Sequence, residues 1–206
     1  MSDCQFSQRP MVQGGGGAPP DLALRAPAFF LDRDNTLVRD SGYVHQPRYL
    51  ELLPGVEPAL LRMYRAGWRT LVVSNQAGVA RGHFALADAY AFNEALAFEV
   101  ERIGAAIDEI RFCPHHIDGR IQGLRKECNS RKPGPGMLLE MARDWNIDMG
   151  RSVMIGDQAT DVQAGVAAGV RGILVQPGEL DRIVCRVLSE DLQRKSYLKE
   201  VNRGIH

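Results

Sequence analysis

The sequence predicts an α/β fold, a three-layer, Rossmann-like parallel sheet with helices on both faces and no large cap domain. Three observations carry this expectation. From Ala28 onward, short apolar runs alternate with longer helical patterns, the order that strand–helix–strand units impose. Runs such as Leu71-Val72-Val73 are apolar without polar alternation, as strands covered on both sides are. Gly67, Gly104 and Gly169 each follow a helical run and precede a strand, where helices end on a left-handed residue.

Residues 1–27 contain Gly14 to Gly17, Pro19 and Pro20 without sustained periodicity, and read as a flexible N-terminal arm. The body of the protein, 28–178, opens with a strand at Ala28–Leu31, a helix at Val56–Tyr64 and a strand at Thr70–Val73. A helix at Leu86–Ile103, a strand at Ile107–Phe112 and a helix at Met137–Trp145 follow. A strand at Ser152–Ile155, a helix at Asp161–Ala168 and a strand at Gly172–Val175 complete it. In 179–206, apolar residues recur at Leu180, Ile183, Val184, Val187, Leu188 and Leu192, the spacing of a helix with one apolar stripe packed on the domain. A monomer or weak homodimer is expected.

Composition narrows the function classes. Lys plus Arg number 25 and Asp plus Glu 25, so no global charge draws the chain to a polyanion, which argues against nucleic acid. No run of about 18 apolar residues occurs, so no membrane span is expected. The first 27 residues lack the apolar stretch of a signal peptide, and a reducing, cytoplasmic location is the default expectation. In that setting Cys113 and Cys128 beside His115 suggest a metal site before a disulfide.

Open parallel sheets bind ligands beyond the carboxyl ends of their strands, so the polar residues after each apolar run are the ones to examine. Asp32, Arg33, Asp34, Asn35 and Thr36 follow the first run; Ser74, Asn75 and Gln76 follow the second. Gly156 and Asp157, with Asp161 four residues on, follow the run that ends at Ile155. Arg131 and Lys132 stand before the helix that starts near Pro135. Gathered carboxylates repel one another unless a cation binds between them, and an oxygen-only donor set with few ligands suits magnesium. Two cationic side chains and a hydroxyl beside that ion make a place for a phosphoryl group. No Gly-rich loop ending in Lys-Ser/Thr is present, which counts against a P-loop nucleotidase.

The constellation resembles the haloacid dehalogenase (HAD) phosphatases. Asp32-Arg33-Asp34-Asn35-Thr36 is similar to their first motif, Ser74 to the second, Lys132 to the third, and Gly156-Asp157 with Asp161 to the fourth. Within that superfamily, Gly42–His45, Ser74–Gly82, Cys113-Pro114-His115-His116 and Arg131-Lys132-Pro133 resemble the D-glycero-D-manno-heptose 1,7-bisphosphate phosphatases, with histidinol-phosphate phosphatases close behind. The resemblance implies Asp32 as nucleophile, Asp34 as acid and base, Ser74 and Lys132 as phosphoryl holders, and a sugar phosphate as substrate. It implies magnesium on Asp32, the Asp34 backbone carbonyl and Asp157. It implies substrate contacts from Asp40, Ser41, Gly42, Tyr43, Asn75, Gln76, Arg131 and Gln158. Asp161 would orient the metal's water shell or Lys132. A histidinol-phosphate or other small-metabolite phosphatase, or a non-catalytic HAD binding protein, are the competing functions. The 39 residues between Asp34 and Ser74 must supply a loop, a helix and a strand, which leaves no length for a cap.

Three positions depart from the family pattern. Relatives hold zinc with Cys-x-His and Cys-x-Cys; here Cys113, His115 and Cys128 are in place, but Ser130 replaces the usual fourth ligand, so His116 or a water would have to complete a zinc site. Asn35 stands where Gly is usual, at a turn whose left-handed angles Asn tolerates. Gln158 stands where close relatives often carry Lys.

Overall fold

The computed structural model describes residues 6–9 and 25–203. Six strands form one sheet: β1 (Ser7–Gln8), β2 (Ala28–Leu31), β3 (Arg69–Asn75), β4 (Glu109–Cys113), β5 (Val153–Gly156) and β6 (Arg171–Leu174). Their spatial order is β1-β4-β3-β2-β5-β6. Five strands are parallel, and β1 alone runs antiparallel, on the edge of β4. β2 lies at the centre, with Phe30 opposite Leu71 on one side and Met154 on the other.

Strand side chains alternate between faces, and the core divides accordingly. Phe29, Leu31, Val72, Ile110, Val153 and Ile155 share one cluster with Leu60, Phe92, Leu96 and Val184. Those four come from helices α1 (Val56–Arg65), α3 (Leu86–Arg102) and α6 (Leu180–Arg203). Ala28, Phe30, Leu71, Val73 and Met154 share the other with Leu138, Met141 and Ala164, from α4 (Gly136–Asp144) and α5 (Ala159–Ala167). The three-layer expectation thus holds. Each fully buried large apolar side chain contributes about 1.5–3 kcal/mol, which makes β2, with all four residues buried, the spine of the core. Gly67, Gly104 and Gly169 adopt positive φ where the helices end.

Differences from the sequence reading are local. Within 1–27, Ser7 and Gln8 form an edge strand and Phe6 packs on Phe112 at a ring separation of 5.8 Å. Residues 1–5 and 10–24 lie outside the described residues. A short helix, α2 (Ala77–Arg81), follows β3 directly. The stripe of α6 is buried at Leu180, Ile183, Val184 and Val187, whereas Leu192 is 64% exposed because at that turn Asp191, paired with Arg151, faces the domain instead. The run around β4 is less apolar than it reads. Glu109 is fully buried, and is tolerated because Arg111 at 2.5 Å and Trp145 Nε1 at 2.6 Å pair with it. No helix among the described residues is long and apolar enough to cross a membrane.

Candidate active site

Asp32 directly follows β2, whose neighbours β3 and β5 end on the same edge, so Ser74, Asn75 and Asp157 arrive beside it. The Asp32 N–H donates to Ile155 O at 2.9 Å, which continues the ladder one residue past the strand. From the far side of the sheet edge Lys132, in the loop before α4, reaches inward. Its Nζ lies 2.5 Å from Asp32 Oδ1 and 2.6 Å from Asp161 Oδ1, and donates to Val73 O at 2.7 Å. Three acceptors satisfy the three donors of the ammonium, which is 2% exposed.

Oxygens of Asp32, Asp157 and Asp161 lie within 4.8 Å of one another. Three carboxylates against one ammonium leave an excess negative charge of two, and oxygen donors of that charge fit a hard divalent cation. Both oxygens of Asp161 are engaged, by Lys132 and by the Gln158 N–H at 3.0 Å, whereas Asp32 spends only Oδ1 on Lys132. Burial pushes the Asp32 carboxyl up to about 7, the charges of Asp161 and Asp34 add to this, and Lys132 opposes it. Burial acts to lower Lys132, but Asp32 and Asp161 outweigh it and hold the ammonium above its ordinary value. Asp157 is raised as well, first by burial.

The Asp34 carboxylate is not one of this group and has its own partners. Arg33 donates to both of its oxygens, at 2.8 and 3.1 Å, and Gln76 Nε2 donates to it at 2.8 Å. Arg33 is itself buried, fixed by Asn93 Oδ1 at 2.9 Å and set 4.6 Å over the Phe92 ring. Gln76 Nε2 also donates to Ser74 Oγ at 2.7 Å, so one amide ties the second strand end to the first. Asn35 takes φ 58, the left-handed turn expected of it, and its side-chain oxygen accepts from the Asp40 N–H at 3.1 Å.

The sequence-derived substrate residues divide. Asn75, Gln76, Arg131 and Gln158 stand at the sheet edge or in contact with it. Gln158, however, is spent on Asp157, donating at 2.7 Å. Asp40 closes its own loop, accepting from the N–H groups of Gly42 and Val44, and Ser41 and Gly42 are exposed. Tyr43 packs against His83 and its hydroxyl meets Arg81. Sequence reading gave Arg33 and Arg81 no role of their own and did not name Asn93; a charged residue between two motif aspartates was the one available sign of the first.

Ligand atoms of Cys113, His115 and Cys128 lie within 4.8 Å of one another, with Cys113 Sγ 3.6 Å from His115 Nδ1. His116 does not complete this group. Its Nε2 faces Arg81 at 3.1 Å and its Nδ1 accepts from Asp118 N.

The HAD-hydrolase-like family model matches residues 129–197. Two D-glycero-beta-D-manno-heptose-1,7-bisphosphate 7-phosphatases match more of the chain. That of Rhodopseudomonas palustris is 42% identical, over 82% of this chain and 93% of its own. That of Escherichia coli K12 is also 42% identical, over 77% and 83%. The chain belongs to the HAD phosphatase family. Solved structures of the family agree. A HAD-like phosphatase from Mesorhizobium loti superposes with TM-score 0.76 at 33% identity, covering 89% of this chain and 92% of that one. The D,D-heptose 1,7-bisphosphate phosphatase of B. bronchiseptica, complexed with magnesium and phosphate, gives 0.66 at 33% identity, over 78% and 86%.

Proposed function

We propose that this HAD phosphatase removes the 7-phosphate of D-glycero-D-manno-heptose 1,7-bisphosphate through an aspartyl-phosphate on Asp32. The observation that carries the reading is the convergence of Asp32, Asp157 and Asp161 around Lys132 on one sheet edge. Asp32 attacks phosphorus in line, the P–O bond to the sugar breaks, and Asp34 gives the leaving oxygen its proton. Asp34 then takes a proton from the water that cleaves the acyl phosphate, which releases phosphate and restores Asp32. Ser74 and Lys132 hold the phosphoryl oxygens while charge shifts among them. Asp32, Asp157 and the Asp34 carbonyl would hold magnesium, whose charge lets one anion approach another. Arg131 and Asn75 contact the sugar side of the substrate.

Two further proposals rest on the cysteines. Cys113, His115 and Cys128 offer zinc two thiolates and an imidazole, and with Ser130 as the fourth residue the affinity is lower than at a four-ligand site. Metal analysis of protein purified without chelator should find zinc, and less than about half an equivalent ends that reading. The free thiols Cys113, Cys128 and Cys185 suit a reducing cytoplasm.

The function is tested by phosphate release from heptose 1,7-bisphosphate, hexose and pentose phosphates and histidinol phosphate, with magnesium present. The heptose bisphosphate should have the highest kcat/KM. A preference for histidinol phosphate would move the assignment to that branch. Asp32→Asn should abolish turnover while Lys132 keeps its Asp161 partner; a normal rate in that variant rules out Asp32 as nucleophile.

A further inference from the structure

Six arginines among the described residues are buried or half-buried: Arg33, Arg69, Arg81, Arg111, Arg131 and Arg151. Four of them pair with carboxylates, on Asp34, Asp108, Glu109 and Asp191 respectively for Arg33, Arg69, Arg111 and Arg151. Arg81 and Arg131 form no ion pair among the described residues, and they are anchored on two adjacent residues of one loop. Arg131 Nη1 donates to His115 O at 3.3 Å, and Arg81 Nη2 lies 3.1 Å from His116 Nε2. They feel each other: burial lowers Arg131, and the Arg81 charge presses it further the same way.

The placement of Arg81 is built into the fold. It ends α2, the five-residue helix that leaves the Ser74 strand end. Its other contact is the hydroxyl of Tyr43, a residue held at φ 60 with its ring packed on His83. A Cβ on Gly78 would come within 2.9 Å of Tyr43 Cδ1, so the glycine lets that ring lie against α2. Asp118, 77% exposed, sits 3.7 Å from Nδ1 of His116, on the ring nitrogen that does not face Arg81. Two guanidiniums brought together, partly desolvated and left without a counter-anion store repulsion that an anion relieves, and planar N–H forks match a phosphate. Arg131 is adjacent in sequence to Lys132, which touches Asp32, so such an anion would be carried by a molecule whose other end occupies the nucleophile.

We propose that Arg81 completes, with Arg131, a clamp for the second phosphate of the substrate, and so sets the preference for sugar bisphosphates over monophosphates. The inference rests on the function proposed above and names the group that enforces it. Arg81 binds the phosphate that is not cleaved, while Tyr43 and His116 orient it.

Steady-state kinetics of wild type, Arg81→Gln and Arg81→Lys on heptose 1,7-bisphosphate and on 4-nitrophenyl phosphate test this. Arg81→Gln should lower kcat/KM on the bisphosphate about 10- to 100-fold, mostly through KM, the worth of a charge-assisted contact. On 4-nitrophenyl phosphate the loss should be less than about 3-fold, and Arg81→Lys should recover part of the bisphosphate activity. Equal losses on both substrates, or an undiminished bisphosphate kcat/KM, would overturn the clamp while leaving the proposed function standing. A wild-type enzyme inactive on the bisphosphate would overturn both.

Discussion

Asn75 and Lys132, 57 residues apart, are joined by a reciprocal pair of hydrogen bonds: Asn75 Nδ2 donates to the Lys132 carbonyl and Asn75 Oδ1 accepts from the Lys132 N–H, each at 3.0 Å. A strand end thereby fixes the backbone of the residue whose ammonium holds Asp32. Asn75→Ala removes both bonds and leaves two backbone groups unsatisfied, which costs about 1–3 kcal/mol in denaturant unfolding. It should also lower kcat roughly 10- to 100-fold, because Lys132 loses its registration against Asp32, the proposed nucleophile. An unaltered kcat would show that Lys132 is positioned without Asn75.

Gly156 is the last residue of β5, and a Cβ there would lie 2.2 Å from Asp161 Oδ2 and 2.4 Å from Asp161 Cβ. Gly156→Ala therefore displaces Asp161 from Lys132. Overpacking of this kind costs about 1–3 kcal/mol, so the melting temperature and the turnover rate should both fall. An alanine variant with wild-type rate and melting temperature would mean that the strand end shifts freely.

Arg33 grips both oxygens of Asp34 while buried over Phe92. Arg33→Met keeps much of the buried volume but frees Asp34. Turnover should fall more than 10-fold on the order of a lost charge-assisted contact, with the larger change in kcat. Binding of inorganic phosphate, measured by calorimetry, should change little. A variant with intact kcat would remove Arg33 from the positioning of Asp34.

Asp191 is held below the usual carboxylate range, first by the hydrogen bonds from Arg151 at 2.8 and 2.9 Å and also by Lys195 at 2.9 Å. Because its folded pKa is depressed, the stability it supplies is present above its unfolded value, about 4, and is lost as pH falls through the folded one. Asp191→Asn should therefore lower stability by about 1 kcal/mol at neutral pH, with the difference from wild type shrinking below about pH 4. A difference that grows on acidification would reverse the sign of the argument.

The sheet and the edge where Asp32, Asp157 and Asp161 gather were legible because both follow from local rules. Apolar runs such as Phe29-Phe30-Leu31 are long enough to mark strands, and chemistry collects where parallel strands end. What could not be read depends on distant partners. Ser7 and Gln8 carry no apolar signal, and become a strand only because β4 offers unpaired backbone groups. Glu109 looks out of place in a strand until Arg111 and Trp145 are seen around it. Arg33 and Arg81 lie inside the matching stretches without a role that sequence assigns, and only their neighbours, Asn93 and His116, reveal what they hold.

The two-residue strand β1 has a consequence for handling the protein. It caps the margin of β4, which would otherwise present open N–H and C=O groups to any passing chain. Trimming the N-terminus through Gln8 would uncover a sticky border beside Cys113, inviting intermolecular β-pairing and making such shortened preparations prone to precipitate.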